Sequence, residues 1–450
     1  MSKDPTETFV DEYDADLGYH RSVVPLDIHL GITSSPKSSS TSGSGHTQLQ
    51  QPLRWGILAT GKVAHDFVQV LKFLKPHHTI TAVGSRTIDR AELFARRHGI
   101  PTAHGTYEEL CNDPNVDIVY IASLHPNHKE HAVIALDSGK HTLVEKPMTM
   151  KAEDAQFLYD LGKEKQLFVG EGMWTRFFPA VEWTRSHLGA GGCNNCNDDE
   201  NVGEELEQTK IGNVRVIQAD FSIDGHDVGP YPTDSLYAKE LGGGSAWTML
   251  PYVVGATLLP FGGREPDRIA ANGIIPATDD GHDVGDVAIG MTMTFTIDEQ
   301  QIGSRENNGP PGNKAIASGV VGYLAESSEV TMYAGKSGRI TVNAPAHCPT
   351  SATLIRKAIG SRGNGATSDS GGDSSSHLTT IKVEFPLPLT TQEIEDSGGI
   401  KMPNSLGFIY EAEAVRRLIS AKHYTFPQWS PEESVACIRT IENMLNQINQ

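Results

Sequence analysis

From Leu53 to Val169 the chain alternates between two hydrophobic periods. The apolar runs Leu53–Ala59, Ile80–Gly84, Val116–Ala122, His141–Val144 and Leu167–Val169 have the length and continuity of strands buried on both faces. Between them, Val63–Leu74, Arg90–His98, Tyr107–Cys111, Lys129–Ser138 and Ala152–Glu164 carry helical spacing. This alternation predicts a parallel sheet covered by helices. From about Gly212 onward the pattern changes. VRVIQADFSI, DRIAANGII, VAIGMTMTFTI, SEVTMYA, GRITVNA and LTTIKVEF alternate apolar and polar positions, which predicts a mostly antiparallel sheet with an open face. Two helices, Tyr410–Ala421 and Pro431–Ile448, close the chain, the second with a serine cap before its proline.

Three stretches carry no period. Residues 1–52 include SSPKSSSTSGSGHTQLQQ, and 189–208 and 360–376 are rich in Gly, Asn, Asp and Ser; none can bury enough apolar surface to offset chain entropy. They read as a disordered tail and two flexible surface insertions. The expected organisation is therefore a tail, a dinucleotide-binding domain over 53–173 and a second α/β domain over 174–450. At 450 residues, two cores are also what chain length favours.

A net charge of −19 makes nucleic acid or an anionic membrane surface an unsuitable partner, and leaves small molecules. The acidic start MSKDPTETFVDEYDADLGYH lacks the pattern of a secretory signal, and no apolar run approaches the roughly 20 residues that span a bilayer. Five cysteines fit a reducing compartment, so a cytoplasmic protein is expected. Cys193 and Cys196 form a lone C-x-x-C inside the first insertion, without a second pair at zinc spacing. TDDGHDVGD, through Asp286, reads as a hairpin turn rather than a calcium loop.

The first strand runs into RWGILATGKVAHDF, which places Ala59, Gly61 and Ala64 at the three positions of G-x-G-x-x-G/A. Gly61 would let the backbone approach a pyrophosphate, and the amides after it, at Lys62 and Val63, would face its charge. At the end of the second strand, where an NAD site places an acid on the ribose, this chain has Ser85 and Arg86. A hydroxyl and a guanidinium suit a 2′-phosphate, which points to NADP. The later strands end in LHPNHKEHA and EKPMTM, at the expected mouth of the sheet. His125, His128 and His131 lack a nearby partner that would complete a metal site, so cofactor-contact and helix-start roles are expected instead. In LGGGSAWTMLPY, three glycines would let the loop approach a ligand, and Tyr252 stands either for packing or for chemistry.

RWGILATGKVA, HPNHKEHA, LVEKPM and MWTRFFPA together resemble the Gfo/Idh/MocA oxidoreductases. Within that family the chain is most similar to the subgroup of dimeric dihydrodiol dehydrogenases and fungal NADP-dependent D-xylose 1-dehydrogenases. The resemblance implies a Rossmann domain and a second domain whose open sheet forms a homodimer. It also implies a cofactor site at Ala59, Thr60, Gly61, Lys62, Val63, Ser85, Arg86, His125, Asn127, His128, Glu145, Lys146 and Trp174. Lys146 and Tyr252 carry over as the catalytic pair, with Trp174, Arg176, Phe177 and Thr248 on the substrate side. The family's aspartate falls on Thr248, the one departure at such a position, which bears on substrate choice.

A phenol is a poor base at neutral pH unless a neighbouring ammonium lowers its pKa, the role expected of Lys146. The expected activity is NADP-dependent oxidation of a pyranose such as D-xylose at C1 to the lactone. A trans-dihydrodiol is the alternative substrate, and a non-catalytic NADP-binding regulator the alternative function.

Overall fold

A computed structural model describes residues 13–14, 19–20, 51–188, 210–227, 229–278, 281–297, 314–357 and 378–449. The insertions expected at 189–208 and 360–376, with Cys193 and Cys196, lie outside the described residues, as does most of the expected tail. Within that tail, β1 (Tyr13–Asp14) pairs antiparallel with β2 (Tyr19–His20).

Six strands form the first sheet: β3 (Leu53–Leu58), β4 (His78–Gly84), β5 (Thr102–His104), β6 (Ile118–Ile121), β7 (His141–Glu145) and β8 (Val169–Gly172). They lie in the order β5-β4-β3-β6-β7-β8 and every pair is parallel. That is the doubly wound order of a dinucleotide-binding fold, as the alternating pattern predicts. The crossovers are α1 (Lys62–Phe73), α2 (Ile88–His98), α3 (Tyr107–Cys111), α4 (His128–Asp137) and α5 (Ala152–Lys165). Two details differ from the sequence reading. The three-residue β5 is too short to show a period, and β8 begins where the expected strand ended.

The second sheet has eight strands: β9 (Val214–Ser222), β10 (Arg268–Ile274), β11 (Ala288–Thr296), β12 (Lys314–Gly322), β13 (Thr331–Gly335), β14 (Gly338–Val342), β15 (Ser351–Lys357) and β16 (Leu378–Glu384). Their order is β10-β11-β12-β9-β13-β14-β15-β16, antiparallel except for the β12–β9 pair. Burial alternates along β9 and β12: Ile217, Ala219, Ala315 and Ala317 face the core, while Val216, Ile316 and Val320 are exposed on the open face. The pattern predicts neither β15 nor β12; in β12, KAIASGVVG is rich in Ala, Ser and Gly, which are weak strand formers. Its small residues serve packing: a Cβ on Gly319 would lie 2.6 Å from the Ala219 carbonyl oxygen.

After the first sheet comes α6 (Pro179–His187). Against the inner face of the second sheet packs α8 (Leu250–Leu258), preceded by the single turn α7 (Ser245–Thr248). The sequence LPYVVGATL shows no helical stripe because α8 is buried almost all round. The chain ends in α9 (Gln392–Asp396), α10 (Phe408–Ser420) and α11 (Pro431–Ile448). Ser430 and Glu433 form a reciprocal capping box at the start of α11. Near its other end, the Gln447 side chain accepts from the Ala271 amide at 2.9 Å and donates to the Ile269 carbonyl at 3.2 Å, both on β10. None of the helices among the described residues is long and apolar enough to cross a membrane.

α10 returns to the parallel sheet through a buried polar chain. Trp55 Nε1 donates to His78 Nδ1 at 3.1 Å, and His78 Nε2 lies 3.1 Å from Glu413 Oε2. Arg416 and Arg417 donate to the same carboxylate. Burial alone would raise the Glu413 pKa, but the bonds from Arg416 and His78 hold it well below the usual carboxylate range. Its contribution to stability is thus present above the unfolded value near 4.3 and is lost as pH falls toward the folded one. Glu413→Gln should cost about 3 kcal/mol, because it leaves guanidinium charge without its buried counter-ion. Urea unfolding at pH 7 and pH 4 would show this as a lower midpoint for the variant, with the gap to wild type narrowing in acid; equal midpoints at pH 7 would remove the clamp from the account.

Candidate active site

The parallel strands deliver their carboxyl ends to one edge. Ala59 directly follows β3 and holds φ at +80°, the left-handed region that costs alanine roughly 1 kcal/mol relative to glycine. Its amide donates to the Gly84 carbonyl at 3.0 Å, so pairing with the next strand keeps it there. Thr60 and Gly61 complete the turn, and Lys62 and Val63 open α1. The first intrahelical bond runs from His65 N to the Gly61 carbonyl, which leaves the Lys62, Val63 and Ala64 amides without an intrahelical acceptor. Among the described residues no side chain caps them, and the first turn carries no acid. A Cβ on Gly61 would meet nothing within 4 Å. Open space faced by free amides at a helix start fits a dinucleotide pyrophosphate.

Ser85 is buried at the end of β4, and Arg86 beside it is exposed. Among the described residues Arg86 makes no ion pair or hydrogen bond. His125 lies between the two sheets, its Nδ1 3.2 Å from the Gly242 carbonyl, and burial pushes its pKa down to about 3. Asn127 is exposed just before α4.

Lys146, immediately beyond β7, reaches α7 and α8, the helices in front of the second sheet. Its Nζ donates to the Thr248 carbonyl at 2.7 Å and stands 4.6 Å from the centroid of the Tyr252 ring. The Lys146–Pro147 bond is cis. Tyr252 occupies the first turn of α8, where its hydroxyl accepts from Trp174 Nε1 at 3.2 Å. The arrangement thus brings together Lys146, Tyr252 and Trp174 from three separate segments. Beneath them, Glu145 accepts from the Tyr120 hydroxyl and, at 3.2 Å, from the Lys146 amide. Glu171 on β8 accepts from the Met148 amide at 2.8 Å and from Trp429 Nε1 and the Ser434 hydroxyl at 2.6 Å each.

Burial dominates the electrostatics. It pushes Lys146 down to about 8 despite the opposing carboxylates, and raises Glu145 to about 7. Tyr252 is raised well above its ordinary value, first by burial and then by the Glu145 charge. This corrects the expectation of a phenolate lowered by lysine: the ammonium lies over the ring face rather than beside the hydroxyl, and desolvation outweighs it. Tyr252 is held as a phenol.

Several expected contacts are redirected. Thr248 does not offer its hydroxyl to a substrate, since that group donates to the Gly244 carbonyl at 2.8 Å and pairs with the Tyr323 hydroxyl. Its carbonyl is the part that meets Lys146. Arg176 is buried, donates to the Gly255 carbonyl at 2.7 Å, pairs with Glu433 at 3.2 Å and lies over Trp429. Phe177 packs edge-on against Phe426 in the core. The His128 ring bridges the Pro147 and Ser123 carbonyls at 2.8 and 3.0 Å, and Glu145 is engaged by Tyr120 and the Lys146 amide, so the polar atoms of both are taken up by the protein. The three glycines approach protein rather than ligand: a Cβ on Gly243 would lie 2.6 Å from the Tyr237 carbonyl carbon, and one on Gly244, at φ +114°, 2.8 Å from Asp286. Asp286 is likewise more than a turn residue, being buried and bonded to the Ser245 hydroxyl and the Ala246 amide.

Three residues near Tyr252 escaped the sequence reading. The Phe221 ring lies 5.7 Å and the His347 ring 5.5 Å from that of Tyr252, and the two stack on each other at 4.2 Å. Phe221 has a faint signal as an apolar residue on the core-facing register of its strand, two places after Ala219; His347 belongs to a loop without a motif. The third is Glu411, wholly buried on α10, with no hydrogen-bond partner on either carboxylate oxygen among the described residues. Burial raises it well above the carboxylate range, so it stays neutral. Its signal was an acid within the apolar run FIYEAEAV.

Comparison with known proteins agrees with this fold. The model of the oxidoreductase family with an NAD-binding Rossmann fold matches residues 53–173. Trans-1,2-dihydrobenzene-1,2-diol dehydrogenase of Danio rerio is 30% identical over 371 residues, 82% of this chain and 89% of the relative. The enzyme of the same name from Sus scrofa is 37% identical over 222 residues, 49% of this chain and 59% of the relative. Two solved structures share the fold. A 3-ketoreductase from Actinomadura kijaniata in complex with NADP and TDP-benzene has a TM-score of 0.62 at 19% identity, over 88% of this chain and 98% of its own. Levoglucosan dehydrogenase with NADH and levoglucosan has a TM-score of 0.65 at 16% identity, over 89% and 98%. A doubly wound parallel sheet, a lysine at its mouth and a relative matched over most of both chains converge on one conclusion: the chain belongs to the Gfo/Idh/MocA family of oxidoreductases.

Proposed function

We propose that the chain is an NADP-dependent dehydrogenase oxidising a ring alcohol that has a neighbouring hydroxyl, with a trans-dihydrodiol as the leading substrate. The observation that carries this reading is the meeting of Lys146, Tyr252 and the Thr248 carbonyl at the carboxyl edge of the parallel sheet. The two vertebrate relatives act, by name, on a trans-dihydrodiol. The rings of Phe221 and His347 beside Tyr252 suit a flat carbocycle. The same rings would take the C–H face of a pyranose, which keeps D-xylose, oxidised at C1 to the lactone, as the second reading. Arg86, exposed and uncommitted beside Ser85, supports NADP through its 2′-phosphate.

When bound, the nicotinamide accepts the hydride that leaves the substrate carbon. The hydroxyl proton must leave with it. Lys146, pushed toward neutrality by burial, is unprotonated in a growing fraction as pH rises through about 8, and takes that proton. Tyr252, held as a phenol, donates a hydrogen bond that fixes the substrate oxygen. A second copy of the chain covering the exposed Val216, Ile316 and Val320 on the open sheet would make the homodimer.

The oxidation rate should rise with pH through about 8 and then level off; a flat profile between pH 6 and 9 would remove Lys146 as the base. Tyr252→Phe should lower kcat by roughly 100-fold with NADP affinity unchanged, and equal activity would return Tyr252 to packing. Arg86→Ala should raise the Kd for NADP at least about ten-fold and leave that for NAD unaltered; parallel changes in both would count against the 2′-phosphate role. All three use absorbance or fluorescence of the nicotinamide, with a panel of trans-dihydrodiols and aldoses. Tight NADP binding without turnover on any of them would favour the regulator instead.

A further inference from the structure

The segment 391–407, between the second sheet and α10, carries no recognisable motif, yet it crosses the helix that opens at the dinucleotide turn. Buried Asp66 on α1 accepts from the amides of Lys401 and Met402 at 2.9 and 2.8 Å and from the Ser405 hydroxyl at 2.8 Å. His65 Nε2 lies 2.9 Å from the Gly399 carbonyl. Gln69 donates to the Ile394 and Gly399 carbonyls at 3.2 Å each, and Lys72 donates to the Ser397 hydroxyl at 3.1 Å. Successive turns of one helix are thus committed to a single crossing segment. Three donors on one buried carboxylate make the crossing hard to detach, because separation would leave the charge desolvated and unpaired.

The crossing also reaches the other side of the site. Asn404 Nδ2 donates to the Cys348 carbonyl at 2.8 Å. Cys348 follows His347, whose ring stands beside Tyr252 and Phe221, and the Thr175 hydroxyl holds the His347 carbonyl. Asn404 itself holds φ at +52°, a conformation that asparagine tolerates better than most residues. One continuous set of hydrogen bonds therefore joins the first turns of α1 to the loop beside Tyr252.

We propose that Asn404 is a positioning residue: it ties the His347 loop, one wall of the substrate site, to the helix whose start receives the cofactor. The identity of that occupant rests on the proposed NADP reading. Occupation of the free amides restrains α1, Asp66 passes the restraint to 399–405, and the Asn404 amide passes it to 343–350. A loop already restrained by cofactor needs less ordering when substrate arrives.

Hydrogen exchange on the full chain, with and without NADP, tests this. In the wild type NADP should slow exchange in 62–73, 399–405 and 343–350. Asn404→Gly accepts the positive φ and removes only the side chain. In it, 62–73 and 399–405 should still be slowed, 343–350 should lose its response, and substrate KM should rise about five-fold with NADP Kd unchanged. Asn404→Asp, which keeps the shape but not the donor, should behave alike. NADP-dependent slowing of 343–350 that survives both variants would overturn the proposal. Should NADP fail to bind the wild type, the cofactor reading falls by itself. Faster exchange of 343–350 in ligand-free Asn404→Gly than in ligand-free wild type would then still support the tie, and equal exchange would refute it.

Discussion

The Glu171 carboxylate is the constraint on which the site depends. It is buried near the end of the last parallel strand and accepts from Met148, Trp429 and Ser434. Met148 belongs to the turn that follows Lys146, so the first bond fixes where the lysine leaves its strand. Trp429 and Ser434 flank the start of α11, which packs along α8, the helix that carries Tyr252. One carboxylate therefore sets the separation of two groups that lie far apart in sequence. Burial disfavours its charge, and the bonds from Ser434, Trp429 and Met148 oppose that rise without cancelling it.

Around that node the interior holds more acid than base. Burial raises the pKa of Glu145, Glu171 and Glu411; the Glu171 charge adds to the rise at Glu145, the charges of Glu145 and Glu171 add to it at Glu411, and Lys146 is the cation set among them. In so dry a setting charge is costly and the neutral forms are favoured: Glu411 keeps a proton that solvent would have removed, Tyr252 stays a phenol, and Lys146 is brought down toward its own midpoint. The overall charge of −19 describes the solvated surface; the reacting centre is governed by desolvation instead.

The parallel half of the fold was legible because its strands and helices follow one another with clean periods and end in motifs whose place is known. The second sheet was only partly so. β12 and α8 are specified by what they touch, Gly319 by the Ala219 carbonyl and Leu250–Leu258 by burial on nearly every side, and neither leaves a period to read. The site divides in the same way. Lys146, Trp174 and Tyr252 stand in recognisable words and come together. Thr248, Arg176 and His128 stand in or beside those words too, but sequence does not tell which atom of a residue is free, and each has its polar atoms engaged by the protein. His347 and Asn404 act through tertiary partners far along the chain, so no local pattern could mark them.

The Gln447 amide bonded to β10 bears on a different matter. A sheet with an unpaired outer strand is a template on which another chain can grow, and growth needs a consecutive donor and acceptor on the rim. Gln447 occupies such a pair, at Ala271 and Ile269, with a side chain that has no backbone direction to propagate. Ile448 closes the approach to Gly273. The last helix thus works as a stopper against strand recruitment at this rim, and trimming a few residues from the end of the chain would uncover a sticky edge while leaving the reacting groups in place.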